Sequence, residues 1–600
     1  MQPPTLRSLL PALALLALTA GCEGEIFTLA QDHDPQAATP PATPAKPTMP
    51  GIPPPPTPDP PPPPPPPVAV PKQKVYACAP TQQPLRGTTH RMRRLTQLEL
   101  VNTLQALLGP AAMADATVQQ KLSGLPADQT VLPGDFLETP PVSLSQVLFD
   151  VAKKVAPVVM ADQAWRTAHL GACAAQATVS DSCLASAVRS FGAQVMRRDL
   201  TDAEAQALVT HATQAGGGAT GLTFVVRRLL QSPSLVFHLE VGGTDSRDGR
   251  VRLTPFEVAS RLSYLAAGVP PDDALMAAAR AGQLATSADL EPHARRLLGT
   301  PQGQAKVRDF FRYYTALTLV PDPAAGPAGL AGITNPTGLG AAMRTEAFDF
   351  IDAIYRAQGT FTDLMTSTAA FPRSSDLAKL LESQVATVTS PPQSATHTGL
   401  LHRPALLVST GARTSPILRG AHVRKLFLCD SFGLPDPAAV KARQDQLGDV
   451  ENQPNRDKVA TLTSASNCAG CHSQLNPVGF TFEGFDQLGA RRTVETVLDP
   501  QGGAAKVWPL TTAVDHLTLE PGGPTSLGSS LELAQAMADS FKARACFARK
   551  AFEYYQLAVA DPGRDGCALA EAETKAHGGS LESVLVSSLA TEDIFWRATP

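Results

Sequence analysis

Charge is scarce in this chain: Asp, Glu, Lys and Arg together make up 17% of it, and aromatic residues only 5%. The formal net charge is −4, and nowhere do Lys and Arg gather into a basic stripe, which excludes a broad nucleic-acid-binding surface. A Ser/His/Asp constellation, a glycine-rich nucleotide loop and a second pair of ligands at zinc-like spacing are also missing. The common hydrolase, nucleotide-binding and structural-zinc classes therefore find no support. The apolar run at residues 9–20 is too short to span a bilayer.

Length and proline are in excess. Six hundred residues exceed what one compact core holds, so several domains are expected. Many of the 56 prolines fall between Pro40 and Pro71, unbroken at 60–67. Such a tract favours extended polyproline II at about 3.1 Å per residue and reaches ~100 Å, a stiff spacer more readily than a docking site. Ahead of it, Arg7 and the apolar run have the form of a secretory signal. Leu18-Thr19-Ala20-Gly21-Cys22 resembles the lipobox of bacterial lipoproteins. That resemblance implies cleavage before Cys22, acylation of its sulfur and new amine, and attachment to a membrane through lipid. The expected address is the outer membrane, facing periplasm or cell surface.

Beyond residue 85 the dominant pattern is helical. Leu95-Thr96-Gln97-Leu98-Glu99, Leu200-Thr201-Asp202-Ala203-Glu204 and Leu253-Thr254-Pro255-Phe256-Glu257 share one start device, in which threonine and glutamate exchange hydrogen bonds. Further helices are expected near 143–158, 184–197, 220–231, 272–280, 288–298, 303–318, 339–357, 530–556 and 580–589. Val494 and Val497, then Asp499-Pro500-Gln501-Gly502-Gly503, then Val507 and Trp508 read as a hairpin.

The chemistry lies in Cys468-Ala469-Gly470-Cys471-His472, a C-x-x-C-H string. Two thiols at this spacing add to the two vinyl groups of a porphyrin, and one turn of helix brings the histidine under the iron. Composition alone yields roughly 0.003 such strings in a chain of this make-up. The expectation is one covalent haem c, with Cys468 and Cys471 as thioethers and His472 as axial ligand. Met537, the one methionine after the motif, is a candidate sixth ligand, although on its stripe with Leu531, Leu533 and Ala534 a methionine is more often a core residue. His516 is the histidine alternative, with His422 and His402 able to approach only through the fold. Arg491 and Arg492 are candidate propionate partners, or a solvated pair. Glu483 and Asp486 orient their loop or cap the next segment, and the Pro477 carbonyl is the expected acceptor for the Nδ1–H of His472.

Of nine cysteines, six remain after Cys22 and the motif. An even number in an exported chain suits disulfides, and proximity suggests Cys173–Cys183 and Cys546–Cys567, leaving Cys78–Cys429.

The motif with Asn476-Pro477-Val478-Gly479-Phe480, Glu483-Gly484-Phe485-Asp486 and Gly489-Ala490-Arg491 resembles a recurring block. It belongs to large secreted haem-motif proteins of planctomycete and myxobacterial type, built of catalogued domains of unknown function. Arg94-Leu95-Thr96, Leu230-Gln231-Ser232-Pro233, Ser260-Arg261-Leu262-Ser263-Tyr264, Pro271-Asp272-Asp273 and Phe310-Phe311 extend the resemblance. Thr414-Ser415-Pro416-Ile417-Leu418-Arg419-Gly420 and Leu428-Cys429 carry it to the motif. Ala266-Ala267 and Asn476 depart from it, standing where an aromatic and an aspartate are usual. The resemblance implies export, a haem and a helical multi-domain body, and no known activity.

The expected fold is mainly α: a multi-domain helical body with a cytochrome c-like haem segment and a small hairpin, after a disordered proline-rich linker. Its divisions are a signal peptide (1–21), anchor and linker (22–71), helical domains (72–170, 171–245, 246–395), the haem-bearing segment (396–520) and a helical C-terminal domain (521–600). The leading functional reading is a c-type cytochrome-like lipoprotein passing electrons to an unknown redox partner. A haem peroxidase or oxidase acting outside the cell, and a surface binding protein with a structural haem, stand as alternatives.

Overall fold

The computed structural model describes residues 72–78, 92–125, 128, 143–333, 335–387, 391–433, 436–447, 450, 452–497 and 506–599. The signal peptide, Cys22 and the proline tract lie outside these described residues. The body is mainly helical, with three small antiparallel sheets.

Each L-T-x-x-E segment starts a helix as expected. Thr96 Oγ1 accepts the N–H of Glu99 at 3.1 Å, and the Glu99 carboxylate accepts the N–H of Thr96 at 2.9 Å. The same exchange at Thr201/Glu204 and Thr254/Glu257 opens Asp202–Gln214 and Pro255–Ala267. Such caps satisfy amides that a helix start leaves open, worth about 1 kcal/mol each. The helix expected across 530–556 is two helices, Ser530–Ala538 and Phe541–Tyr555. Ser540 makes the break: its hydroxyl accepts the N–H of Ala543 at 3.0 Å and donates to Glu520 at 2.9 Å, in competition with a continuous backbone ladder.

Two large apolar cores organise the body. One joins residues from Leu95 to Val236, and the other residues from Leu253 to Trp596. Strand Met92–Arg94 pairs antiparallel with Phe237–Leu239, closing the first core at its entry and exit. Tyr264 of the helix Pro255–Ala267 reaches into that core, where its hydroxyl meets Thr103 Oγ1 at 2.7 Å. The strands of the expected hairpin pair antiparallel, Val494–Val497 against Lys506–Pro509, while its expected turn, Asp499-Pro500-Gln501-Gly502-Gly503, lies outside the described residues.

Three disulfides cross-link the described residues: Cys173–Cys183, Cys78–Cys567 and Cys429–Cys546. The first is the expected neighbour pair. The expected Cys546–Cys567 and Cys78–Cys429 pairs are exchanged. Helices Phe541–Tyr555 and Pro562–Gly578 pack together, yet their cysteines turn to different neighbours. Residues 72–78 lie along Pro562–Gly578 as a strap. The Val75 and Tyr76 amides donate to the buried Glu573 carboxylate at 2.9 and 2.8 Å, which brings Cys78 to Cys567. Cys546 instead faces the end of the π-helical stretch Val423–Phe427, close to Cys429. Three disulfides suit a protein matured in an oxidising compartment outside the cytoplasm. No helix of the described residues is long and apolar enough to cross a membrane.

Non-reducing peptide mapping should recover linked peptides for Cys78–Cys567 and Cys429–Cys546, and none joining Cys546 to Cys567. A second expectation concerns acid. Burial lowers His238 and His402 to about 4 and His397 to about 3, from an ordinary 6.5. The unfolded chain takes up these protons near pH 6.5 while the folded chain resists them, so their contribution is complete above that pH and is lost as pH falls towards 4. Denaturant midpoints at pH 7.5 and pH 5 should reveal the loss, and His402→Asn should reduce it.

Candidate haem-attachment site

The motif opens the helix Ser466–Phe480. The Cys468 and Ala469 amides both donate to the Ala465 carbonyl at 2.9 Å, so the first turn is closed through backbone alone. The preceding loop is braced by Arg443, which donates to the Thr461 carbonyl at 3.0 Å and to Ser464 Oγ at 2.9 Å. Cys468, Cys471 and His472 stand at i, i+3 and i+4 and so share a face of the helix. Cys471 is exposed, with Cys468 and His472 half-buried beside it. Both thiols are free, while the other described cysteines are paired.

The buried side of this helix, formed by Leu475, Val478 and Gly479, meets the short helix Pro416–His422. A β-carbon on Gly479 would fall inside the Pro416 carbonyl, and one on Gly420 inside the Leu475 carbonyl. The backbones therefore touch where both residues lack a side chain, and only glycine permits that approach. Arg419 fixes the chain that leaves the motif helix. Its guanidinium donates to the Leu407, Phe482 and Phe485 carbonyls at 2.7, 3.0 and 3.0 Å, and at 2.5 Å to that of Asp486. Burial lowers its pKa to about 10.

The loop residues are largely committed to the loop. Arg492 pairs with Glu483 at 3.1 Å, and Glu483 accepts from Thr414 Oγ1 at 2.7 Å. Asp486 accepts the Leu488 and Ala490 amides, each at 2.8 Å, around the left-handed Gly489. Arg491 is exposed. Of the two candidate propionate partners, Arg492 thus has its charge matched by Glu483.

Expected ligands are dispersed. Met537 is fully buried in the second core, on a helix packed chiefly against Phe361–Thr366 and to a lesser extent against Thr481–Gly484. His402 is also fully buried; its Nδ1 meets the Thr398 carbonyl at 2.6 Å and its ring lies on Phe485 at 5.3 Å. His516 is exposed in a left-handed turn, and His422 is the last residue of Pro416–His422.

One expectation needs correction. The partner of His472 Nδ1 is Asn476 Oδ1 at 3.0 Å, not the Pro477 carbonyl. Residues four apart on a helix face each other, whereas the carbonyl of residue i+5 points along the helix axis. That i+4 spacing was the signal in the sequence. Asn476 Nδ2 in turn donates to Thr463 Oγ1 at 2.8 Å. With Nδ1 engaged, Nε2 of His472 remains for a ligand, and the two thiols share its helix face at haem-attachment spacing. The residues fit the group.

Residues 253–382 match the family model PSD4, protein of unknown function (DUF1592), and residues 397–495 match PSCyt3, protein of unknown function (DUF1588). The motif and the Gly420–Gly479 crossing both fall in the second segment. No curated protein and no solved structure matches the chain. The chain thus carries two catalogued domains of unknown function.

Gly479→Ala should separate the crossing helices and destabilise the body by about 3 kcal/mol, from overpacking against backbone that cannot yield. Thermal unfolding checks it, with the exposed Gly470→Ala as the control: open space surrounds that helical position, so alanine there should hold or raise stability, by up to about 1 kcal/mol.

Proposed function

We propose that Cys468 and Cys471 hold one haem c through thioethers, that His472 Nε2 is its axial ligand, and that the protein passes electrons singly as an outer-membrane lipoprotein anchored through Cys22. The observation that carries this reading is the pair of free thiols beside a histidine whose Nδ1 is already engaged, on the open face of one helix. When bound, the haem supplies a one-electron store. The chain's own part is mechanical and electrostatic. The glycine crossing holds the motif helix, Arg419 holds the loop behind it, and the exposed motif face gives a redox partner close approach.

The core position of Met537 favours a second reading, a haem peroxidase or oxidase, because a thioether fixed in the core leaves the distal position without that ligand. A low-spin oxidised spectrum supports the carrier. A high-spin one moves the enzyme reading ahead.

Protein matured with a haem-attachment system should keep its haem through denaturation and acid–acetone extraction, and Cys468→Ala with Cys471→Ala should abolish retention. Haem that extracts freely from wild type would sink the proposal. Cys22→Ser should release the folded protein from carbonate-washed membranes; a variant still in the pellet would remove the lipid anchor from this reading.

A further inference from the structure

We propose that Asn476, held by Thr463, selects the ligating tautomer of His472 before iron arrives and keeps the haem at a higher potential than a carboxylate there would; the inference rests on the haem reading above. Its basis is a proton count. Thr463 caps the end of the helix Asn455–Leu462, and its one hydroxyl proton goes to the Val459 carbonyl at 2.7 Å. Towards Asn476 the Thr463 oxygen can then only accept, so the amide must present its NH₂, at 2.8 Å. That orientation turns Oδ1 to His472 at 3.0 Å. An amide oxygen carries no proton, so the neutral imidazole of His472 donates from Nδ1 and its Nε2 keeps the lone pair an iron requires. Asn476 and Thr463 are each 8% exposed, which shelters the chain of bonds from exchange with water.

The same arrangement sets how much charge reaches the metal. A carboxylate accepting from Nδ1 draws the proton away and makes the imidazole a stronger donor, which favours ferric iron. The neutral amide oxygen draws it less, so ferrous iron is relatively favoured. Asn476 is therefore a positioning residue that acts through His472.

Asn476→Asp is nearly isosteric. In the mature, haem-loaded full chain its midpoint potential should fall, with ferric over ferrous favoured about tenfold more than in wild type, ~59 mV for a one-electron couple. In the full chain exported without a haem-attachment system and labelled with ¹⁵N-histidine, His472 should be protonated at Nδ1 and bare at Nε2. Thr463→Val should erode that preference and Thr463→Ser restore it, a pattern that mere loss of packing would not produce. An unchanged or raised midpoint in Asn476→Asp, or Nε2 protonated in the wild-type apoprotein, overturns the proposal. Absence of covalent haem from matured wild type would instead overturn the functional reading, while the apoprotein spectrum still decides the tautomer.

Discussion

The contact on which the motif depends is made by backbone alone. Where Pro416–His422 crosses Ser466–Phe480, Gly420 and Gly479 let carbonyl oxygens occupy the space of side chains. The approach brings Arg419, one residue before Gly420, within reach of the carbonyls just beyond the motif helix. Crossing and guanidinium act together: one sets the distance between the segments and the other satisfies the polar groups that this distance buries. Without the second, several carbonyls would lie desolvated, at a cost of about 1–3 kcal/mol each.

Polar groups are buried elsewhere by the same logic. Arg403 and Glu346 are both fully buried and meet at 3.1 Å, and Arg403 also donates to the Gly399 and Ala369 carbonyls. The pair joins the helix Leu339–Arg356 to the segment that leads into the motif region, and so links the two catalogued domain segments. Such a pair gives little net stability, but losing either partner strands a buried charge. These anchors keep the motif helix attached to the rest of the body while its cysteine face stays open.

The features legible in the sequence are local ones. Thr96 with Glu99 and Thr254 with Glu257 are three residues apart, so their caps can be read from the string, as can the C-x-x-C-H and the strand pair Val494–Val497 with Lys506–Pro509. The helices Pro416–His422 and Pro562–Gly578 cannot; the first is short, and the apolar pattern of the second is diluted by small and polar residues. Contacts across the fold are illegible. Cys546 lies nearer in sequence to Cys567 than to Cys429, yet the packing of its helix decides its partner. Met537 has a ligand's chemistry and a core residue's position, and only three dimensions separate the two. Asn476 stands in the sequence as a departure from a related pattern; its bond to Thr463, thirteen residues back, is visible only in the fold.

The Cys78–Cys567 link also governs the order in which this chain can be completed. In a chain that leaves the cytoplasm from its N-terminus, Cys78 reaches the oxidising side first and Cys567 follows 489 residues later. The native partner of Cys78 is therefore the last to arrive, while Cys173 and Cys183, only ten residues apart, can already close on each other. Cys429, Cys468 and Cys471 all emerge during that wait, as competing thiols. The strap along Pro562–Gly578 answers this sorting problem, since its backbone bonds to Glu573 can form only on a C-terminal helix that has been made and folded. Correct oxidation at Cys78 is thus a report that the helix Pro562–Gly578 has folded.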